Sequence, residues 1–388
     1  MEDWKEYNLG EVCENIYSGG TPSSMNASYW NGSLPWLSSG ETAQRYIFST
    51  EKYITKEGAE NSSTRYAYKG STVVASAGQG HTRGQASLLC IDTYVNQSVL
   101  VLRPNTKIID SHYLYYNIDS RYNELRQLSD GTSTRGSLSG KILKDLNIYL
   151  PPLNEQKRIA SILKSLDDKI ECNRKINENL EQQAQALFKS WFVDFEPFKA
   201  DELVESELGM IPKGWRVYSL SEFLPVITGK KDANVAKGGV YPFFSCSQDY
   251  SWTDEYSFDG SAILVAGNGD FNVKMYVGKF EAYQRTYVLI PYNPSYTAWL
   301  YYAVKYHLKE ITSAARGSVI KFITKGNLAD FKFAAPSSLD GVDIITKFDK
   351  IRKKVSAGIE ESRRLAELRD TLLPKLMSGE LNVENVTF

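Results

Sequence analysis

Cysteine and histidine are scarce in this chain, and long apolar runs are missing. Its 388 residues include four cysteines and three histidines. Cys13, Cys90, Cys172 and Cys246 lie far apart and form no CxxC pair. That excludes a disulfide scaffold and a cysteine-ligated zinc site, and it points to free thiols in a reducing compartment. His81, His112 and His307 have no ligand-like spacing, so no metal is expected. With no apolar run of about 18 residues and no signal peptide, a soluble cytoplasmic protein that avoids membranes is expected. A charge excess is missing too. The net charge is −1, and residues 1–150 and 201–340 each hold 14 Lys+Arg against 15 Asp+Glu. Any DNA binding must therefore use local basic patches or charge borrowed from a partner. Finally, Gly and Pro vanish between Leu153 and Glu196, in a chain that holds 27 Gly and 13 Pro. That stretch predicts one long helix.

What is present is a pattern that occurs twice. Trp4-x-x-Tyr7-x-Leu9-x-Glu11 returns as Trp215-x-x-Tyr218-x-Leu220-x-Glu222, an offset of 211. Gly32-Ser-Leu-Pro35-Trp36 returns as Gly239-Val-Tyr-Pro242-Phe243, and Gly78-Gln79-Gly80 as Gly267-Asn268-Gly269. Leu114-Tyr115-Tyr116 returns as Leu300-Tyr301-Tyr302, and Leu143-x-Asp145-Leu146 as Leu328-x-Asp330-Phe331. The offset drifts through the globular parts and then holds at 185. Loops tolerate added residues. A helix does not, because each insertion turns every later side chain by about 100°.

Each copy reads as short strands and turns around one internal helix, near residues 110–128 and 295–311, and ends in a strand that launches a long helix. The first helix carries a heptad seam through Ile159, Leu163, Leu166, Ile170, Leu180 and Leu187, with Asn173 and Asn177 as its polar middle. The second carries Ile344, Phe348, Ile351, Val355, Leu365 and Leu372, with Gly358 in its middle and Pro374 expected at its end. The fold class expected is α+β: two pseudo-repeated, mostly-β domains separated by two long helices that form an antiparallel coiled coil. In such a pair Asn173 is expected to meet Gly358. A helix of 40 residues spans about 60 Å, which suits a spacer between two heads that read a bipartite ligand such as duplex DNA.

Several motifs support the family to which this chain is similar. "YSGGTPS" at Tyr17, "YWNGSLPWLSSGE" at Tyr29, "LPPLNEQKRIASIL" at Leu150, "SWFVDFEPF" at Ser190, "ESELGMIPKGW" at Glu205 and "LLPKLMSGEL" at Leu372 resemble the specificity subunit of type I restriction–modification systems. The resemblance covers essentially the whole chain. It implies a target-recognition domain over 1–150, a spacer helix over 151–196, a linker over 197–212, a second recognition domain over 213–336, and a second spacer helix and tail over 337–388. It also implies partners: double-stranded DNA, two methyltransferase subunits, and restriction/translocase subunits. No catalytic residue is implied in this chain. S-adenosylmethionine, ATP and Mg are expected only on the partner subunits. The isolated chain is expected to bind DNA weakly.

The residue types suited to base and phosphate edges are Arg, Lys, Asn and Gln beside glycine. In the first domain this selects the loops 18–24, 76–85 and 130–141, with Thr21, Ser38, Gln79, His81, Arg83, Thr134, Arg135 and Ser137 as candidate DNA contacts. In the second it selects 228–234, 266–274 and 314–321, with Lys230, Lys231, Asn268, Asn272, Lys274, Arg316 and Lys321. Trp36, Trp191, Trp215, Trp252 and Trp299 read as core or interface anchors. Trp191, Phe192, Leu373, Leu376 and Met377, at the helix ends, are candidates for docking on a globular domain or on a methyltransferase subunit.

Other chemistry is poorly supported. Asn293-Pro294-Ser295-Tyr296 resembles an adenine-methyltransferase signature, but its third residue is Ser, and it reads as a turn that starts a helix. The two Gly-x-Gly stretches lack the third glycine of a nucleotide loop. The competing functional class is a non-catalytic scaffold or adhesin whose aromatic β-domains bind carbohydrate.

Overall fold

The computed structural model describes residues 4–78, 80–130, 136–313, 315–317, 320–339 and 342–383. It divides into two compact units, Met1–Glu171 with Ser362–Phe388, and Cys172–Glu361. Each unit therefore takes a piece of both long helices, which are not set apart as separate segments.

In the first unit a five-stranded sheet has the order Cys13–Ser18, Val99–Pro104, Thr72–Ala75, Ala86–Leu89, Tyr46–Ile47. A four-stranded sheet has the order Lys52–Ile54, Trp30–Leu37, Thr93–Val95, Arg65–Ala67. In the second unit one six-stranded sheet has the order Val226–Thr228, Thr286–Leu289, Phe258–Ala266, Val273–Ala282, Tyr241–Phe244, Ser251–Thr253. The duplication is visible in the strand register. Tyr7 pairs with Ile148 and Tyr218 with Phe333. Trp36 pairs in parallel with Tyr94, and Phe243 with Glu281.

The internal helix of each copy is broken once. Ser111–Ser120 is followed by Tyr122–Asp130, and Thr297–Tyr306 by Leu308–Ser313. Its aromatic residues go inward: Tyr113, Leu114, Tyr115 and Tyr116 in one unit, Trp299, Leu300, Tyr301 and Tyr302 in the other, all buried. Asn293 caps the short turn Pro294–Tyr296 through a Ser295 N–H bond of 3.0 Å to its Oδ1, so this segment starts the helix as the sequence suggests.

The first long helix is Leu153–Phe192 and the second is Asp343–Met377. The second runs unbroken through Gly358, but one expectation fails there: Pro374 lies inside its last turn and does not end it. The missing N–H of Pro374 removes one hydrogen bond, and the burial of Leu373, Leu376 and Met377 in the first unit's core keeps that turn in place. The seam positions are buried or half-buried throughout: Ile159, Leu163, Leu166, Ile344, Phe348 and Val355 are buried, and Ile170, Leu180, Leu187, Ile351, Leu365 and Leu372 half-buried. In the second unit the helices run antiparallel, but one step off the expected register. Asn173 Nδ2 donates to Glu361 Oε2 at 2.8 Å. A Cβ on Gly358 would lie 2.7 Å from the side-chain oxygen of Asn177, so that glycine faces Asn177 and not Asn173.

Buried charge pins the helices within each unit. In the first, Asp167 accepts from Tyr116 Oη at 2.8 Å, Tyr46 Oη at 3.0 Å and Arg369 Nη1 at 2.7 Å. Burial beside this carboxylate pushes the Tyr116 hydroxyl far above the ordinary tyrosine range. At the offset of 185 the counterpart of Asp167 is Arg352. It pairs with Glu181, which also accepts from Lys305 Nζ at 2.8 Å, and its guanidinium lies over the Tyr301 ring. The repeat keeps a buried charge at this position and inverts its sign. Gln156, also buried, fastens the start of the first helix. It accepts from Asp110 N at 3.0 Å and donates to the carbonyls of Pro151 and Ile108 at 2.9 and 3.1 Å.

Removing one partner of a buried pair leaves an uncompensated charge. Arg369→Met is expected to destabilise the chain by about 3 kcal/mol. Asp167→Asn together with Arg369→Met should recover more than half of that loss, as read by urea denaturation of the double-mutant cycle.

Candidate nucleic-acid interface

The candidate loops are joined through one short turn in each unit. In the second unit this turn is Tyr283–Arg285, between the strands Val273–Ala282 and Thr286–Leu289. Gln284 N donates to Lys231 O at 2.9 Å, and Gly267 N donates to Arg285 O at 2.8 Å. Gly269 N reaches Lys321 O at 3.1 Å, and Arg316 and Phe322 exchange backbone bonds of 2.9 and 2.8 Å. The three loops selected from the sequence of this unit thus meet along one rim.

The first unit repeats the scheme with the turn at residues 96–98. Gly19 N donates to Asn96 O at 3.2 Å and Ser76 N to Ser98 O at 2.8 Å, while Leu138 N donates to Ser76 O at 2.9 Å. This last bond has its counterpart in Ile323 N to Gly267 O at 3.0 Å. Ala75 pairs with Val99, and Ala266 with Thr286. Gly267 therefore occupies the place of Ser76, not that of Gly78. The equation of the two Gly-x-Gly stretches is corrected accordingly: they sit in loops of different length on a common pair of strands.

Both turns depend on a glycine. A Cβ at Gly19 would lie 1.9 Å from Val95 O, and a Cβ at Gly229 would lie 2.1 Å from Tyr283 O. No side chain fits against a carbonyl at that distance. The sequence selects "SGGT" and "TGKK" for polar residues beside glycine, and this close approach is what requires the glycine.

The selected side chains fall into two groups. The first is committed to the protein itself. Arg83 is buried and paired with Asp130, and a Cβ on Gly136 would strike its guanidinium. Asn272 is buried and donates to Cys246 O at 2.8 Å and Asp270 O at 3.0 Å. Ser38 caps a turn by accepting Glu41 into a reciprocal bond set, with Ser38 N to Glu41 Oε1 at 2.9 Å. Lys231 pairs with Glu255 at 2.6 Å. These residues shape the loops, and sequence spacing could not separate them from residues that face outward.

The second group is exposed. It holds Thr21, His81, Ser137, Lys230, Arg316 and Lys321, with Asn268 half-buried. Among the described residues, Lys230, Arg316 and Lys321 have no carboxylate partner, and neither has the exposed Arg285, which the sequence reading missed. Lys274 is half-buried and donates to Ser245 O at 3.2 Å, and burial lowers its pKa below the ordinary lysine range. One half-buried lysine and exposed cations that lack a carboxylate partner among the described residues suit an anionic ligand. Gln79, Thr134 and Arg135 lie outside the described residues.

Two more missed residues support the first unit's rim. Arg126 Nη1 donates to Gly80 O at 2.9 Å, and Tyr122 Oη donates to His81 O at 2.9 Å. Both lie on a helix whose pattern reads simply as amphipathic. The candidates at the helix ends are used inside the units. Phe192 packs among Trp215, Trp299 and Phe348, Trp191 lies edge-on to Phe198, and Leu373, Leu376 and Met377 belong to the first unit's core. That leaves little of them for a subunit-docking face. Trp36, Trp215 and Trp299 are buried as expected of anchors, whereas Trp252 is 43% exposed. Among the described residues no helix is long and apolar enough to cross a membrane.

Comparison with known proteins gives a consistent result. The family described as the type I restriction modification DNA specificity domain matches residues 1–182 and 212–366. The MjaIX specificity subunit of Methanocaldococcus jannaschii is 28% identical, over 99% of this chain and 95% of its own length. The EcoDI specificity subunit of Escherichia coli is 40% identical over 45% of this chain and 40% of its own length. The S subunit of a type I restriction–modification system from M. genitalium has a similar fold, with a TM-score of 0.60 at 18% identity over 96% of each chain.

The rim leads to a contrast between two glycines. Gly229→Ala forces a Cβ onto a backbone carbonyl and is expected to cost about 3 kcal/mol, with faster thiol labelling of Cys246, whose Sγ faces Arg285 O at 3.4 Å. Gly269→Ala meets no atom within 4 Å and strains only a φ of 71°. It should cost about 1 kcal/mol and leave the labelling rate unchanged. Thermal denaturation and labelling followed by mass spectrometry read both effects.

Proposed function

Since this chain belongs to the type I restriction–modification DNA specificity family, we propose that its two units each read one part of a bipartite, asymmetric duplex site. The observation that carries this reading is the rim built twice on the same turn from different side chains. Fixed backbone scaffolding with divergent polar loops suits two related readers of two different base sequences. Lys230, Arg285, Arg316 and Lys321 supply phosphate or guanine contacts in the second unit. Thr21, His81 and Ser137 face the ligand in the first.

The near-zero net charge assigns much of the duplex to partners. These are two methyltransferase subunits, with restriction/translocase subunits joining for cleavage. S-adenosylmethionine, ATP and Mg belong to those partners, and this chain contributes the address without catalysis. Its place is the cytoplasm, beside the host's DNA. Glycan binding by a purified chain that ignores duplex DNA would instead favour the scaffold reading.

The proposal predicts a split methylation motif in host DNA by methylation-aware sequencing. Arg316→Ala, in the complex with its methyltransferase partner, should cost about 1–3 kcal/mol in cognate-duplex binding if it meets a base edge. The preference should relax in one part of the motif only. An unsplit motif, or loss spread evenly over all base pairs, would contradict the reading.

A further inference from the structure

Each unit presents one glutamine at the tip of its turn. The ladder pairs Ala75–Val99 and Ala266–Thr286 make the two turns equivalent, so Gln97 stands where Gln284 stands. The flanking residues differ: Asn96 and Ser98 in one turn, Tyr283 and Arg285 in the other. Only the glutamine is common to both.

The fold does not explain that identity. The bonds that stitch the rim use the backbone of the turn, through Asn96 O and Ser98 O in the first unit, and through Gln284 N and Arg285 O in the second. Any residue could supply them. Both glutamine side chains are exposed. Gln97 Oε1 accepts from Thr21 Oγ1 at 2.5 Å, which orients the amide. Its amide nitrogen has no hydrogen-bond partner among the described residues, and neither has any side-chain atom of Gln284.

An amide offers one donor and one acceptor side by side. In the major groove that pattern matches the N6 donor and N7 acceptor of adenine. Each of these amides stands at the junction of three polar loops, where a ligand on the rim would meet it. We propose that Gln97 and Gln284 are specificity-determining residues that each read one adenine edge, one in each part of the split site. The two units then differ in their loops but share one base requirement at the equivalent position. This inference rests on the DNA-reading function proposed above.

The test uses the full chain co-purified with its methyltransferase partner. The probes are duplexes carrying the sequenced wild-type motif, each with one base pair changed. Gln97→Leu should slow methylation of the cognate duplex at least tenfold and abolish discrimination at one A·T pair in one part of the motif. Preferences in the other part should stay unchanged. Gln284→Leu should produce the mirror result. Gln97→Glu and Gln284→Glu keep the shape but lose the donor. They should reject adenine at the same pair and move toward a cytosine amino group. Should the leucine variants fail to assemble, the glutamate variants decide the matter.

Base preferences within twofold of wild type at every position would overturn the inference. So would a loss spread evenly over the motif, since that is the signature of a structural role. If the wild-type complex itself shows no sequence-selective methylation, the DNA-reading function has failed and not merely the assignment of these glutamines.

Discussion

A glycine that comes close to the backbone at, or next to, a three-residue turn is the constraint on which both rims depend. The carbonyl of residue 95 or 283 comes so near Gly19 or Gly229 that no Cβ fits between. That approach lets the glycine loop and the strand-connecting loop bond to the same turn from two sides. With the junction held by backbone atoms, the surrounding side chains are free to differ. The loop between paired strands spans residues 76–85 in one unit and 267–272 in the other, yet each leaves the sheet at an equivalent alanine, Ala75 or Ala266.

The long helices obey a different constraint. Their heptad stripes are alike, so apolar patterning alone would let either helix pair with a copy of itself. Buried charge removes that freedom. Asp167 faces Arg369, and Glu181 faces Arg352. A homotypic pairing would bury these groups without partners, which is costly even though a satisfied buried pair contributes little net stability. The inverted sign between Asp167 and its counterpart Arg352 makes the helix contacts of the two units chemically distinct despite the duplication. The net charge is −1, yet the rim keeps Lys230, Arg285, Arg316 and Lys321 without carboxylate partners among the described residues.

Much of this was legible in the sequence because it is periodic or duplicated. The seam from Ile159 to Leu187 follows from a repeat of four and three, and the six polar loops stand out as glycine-rich interruptions between strands. What was not legible depends on partners distant in the chain. Arg83 and Asn272 look like surface readers until Asp130, Gly136 and Cys246 close over them. Gly267 looks like Gly78 because both open a Gly-x-Gly stretch, but the bond from Ile323 or Leu138 sets the true equivalence. Pro374 reads as a stop signal, yet buried neighbours carry the helix past it. Gln97, Gln284 and Arg285 went unnoticed because their turn contains no glycine and looks like part of a strand.

On the function proposed above, the two rims, and no other surface of each unit, face the DNA. Site-specific photocrosslinking tests it most directly, with a benzophenone amino acid placed at Ser98, Arg285 or, as a control, Leu208 in the exposed hairpin 203–212. In the complex with its methyltransferase partner and a duplex carrying the cognate site, Ser98 and Arg285 should crosslink to two separate tracts of bases and Leu208 to none. Crosslinks from Leu208 alone, or from both rim positions to the same tract, would contradict the account.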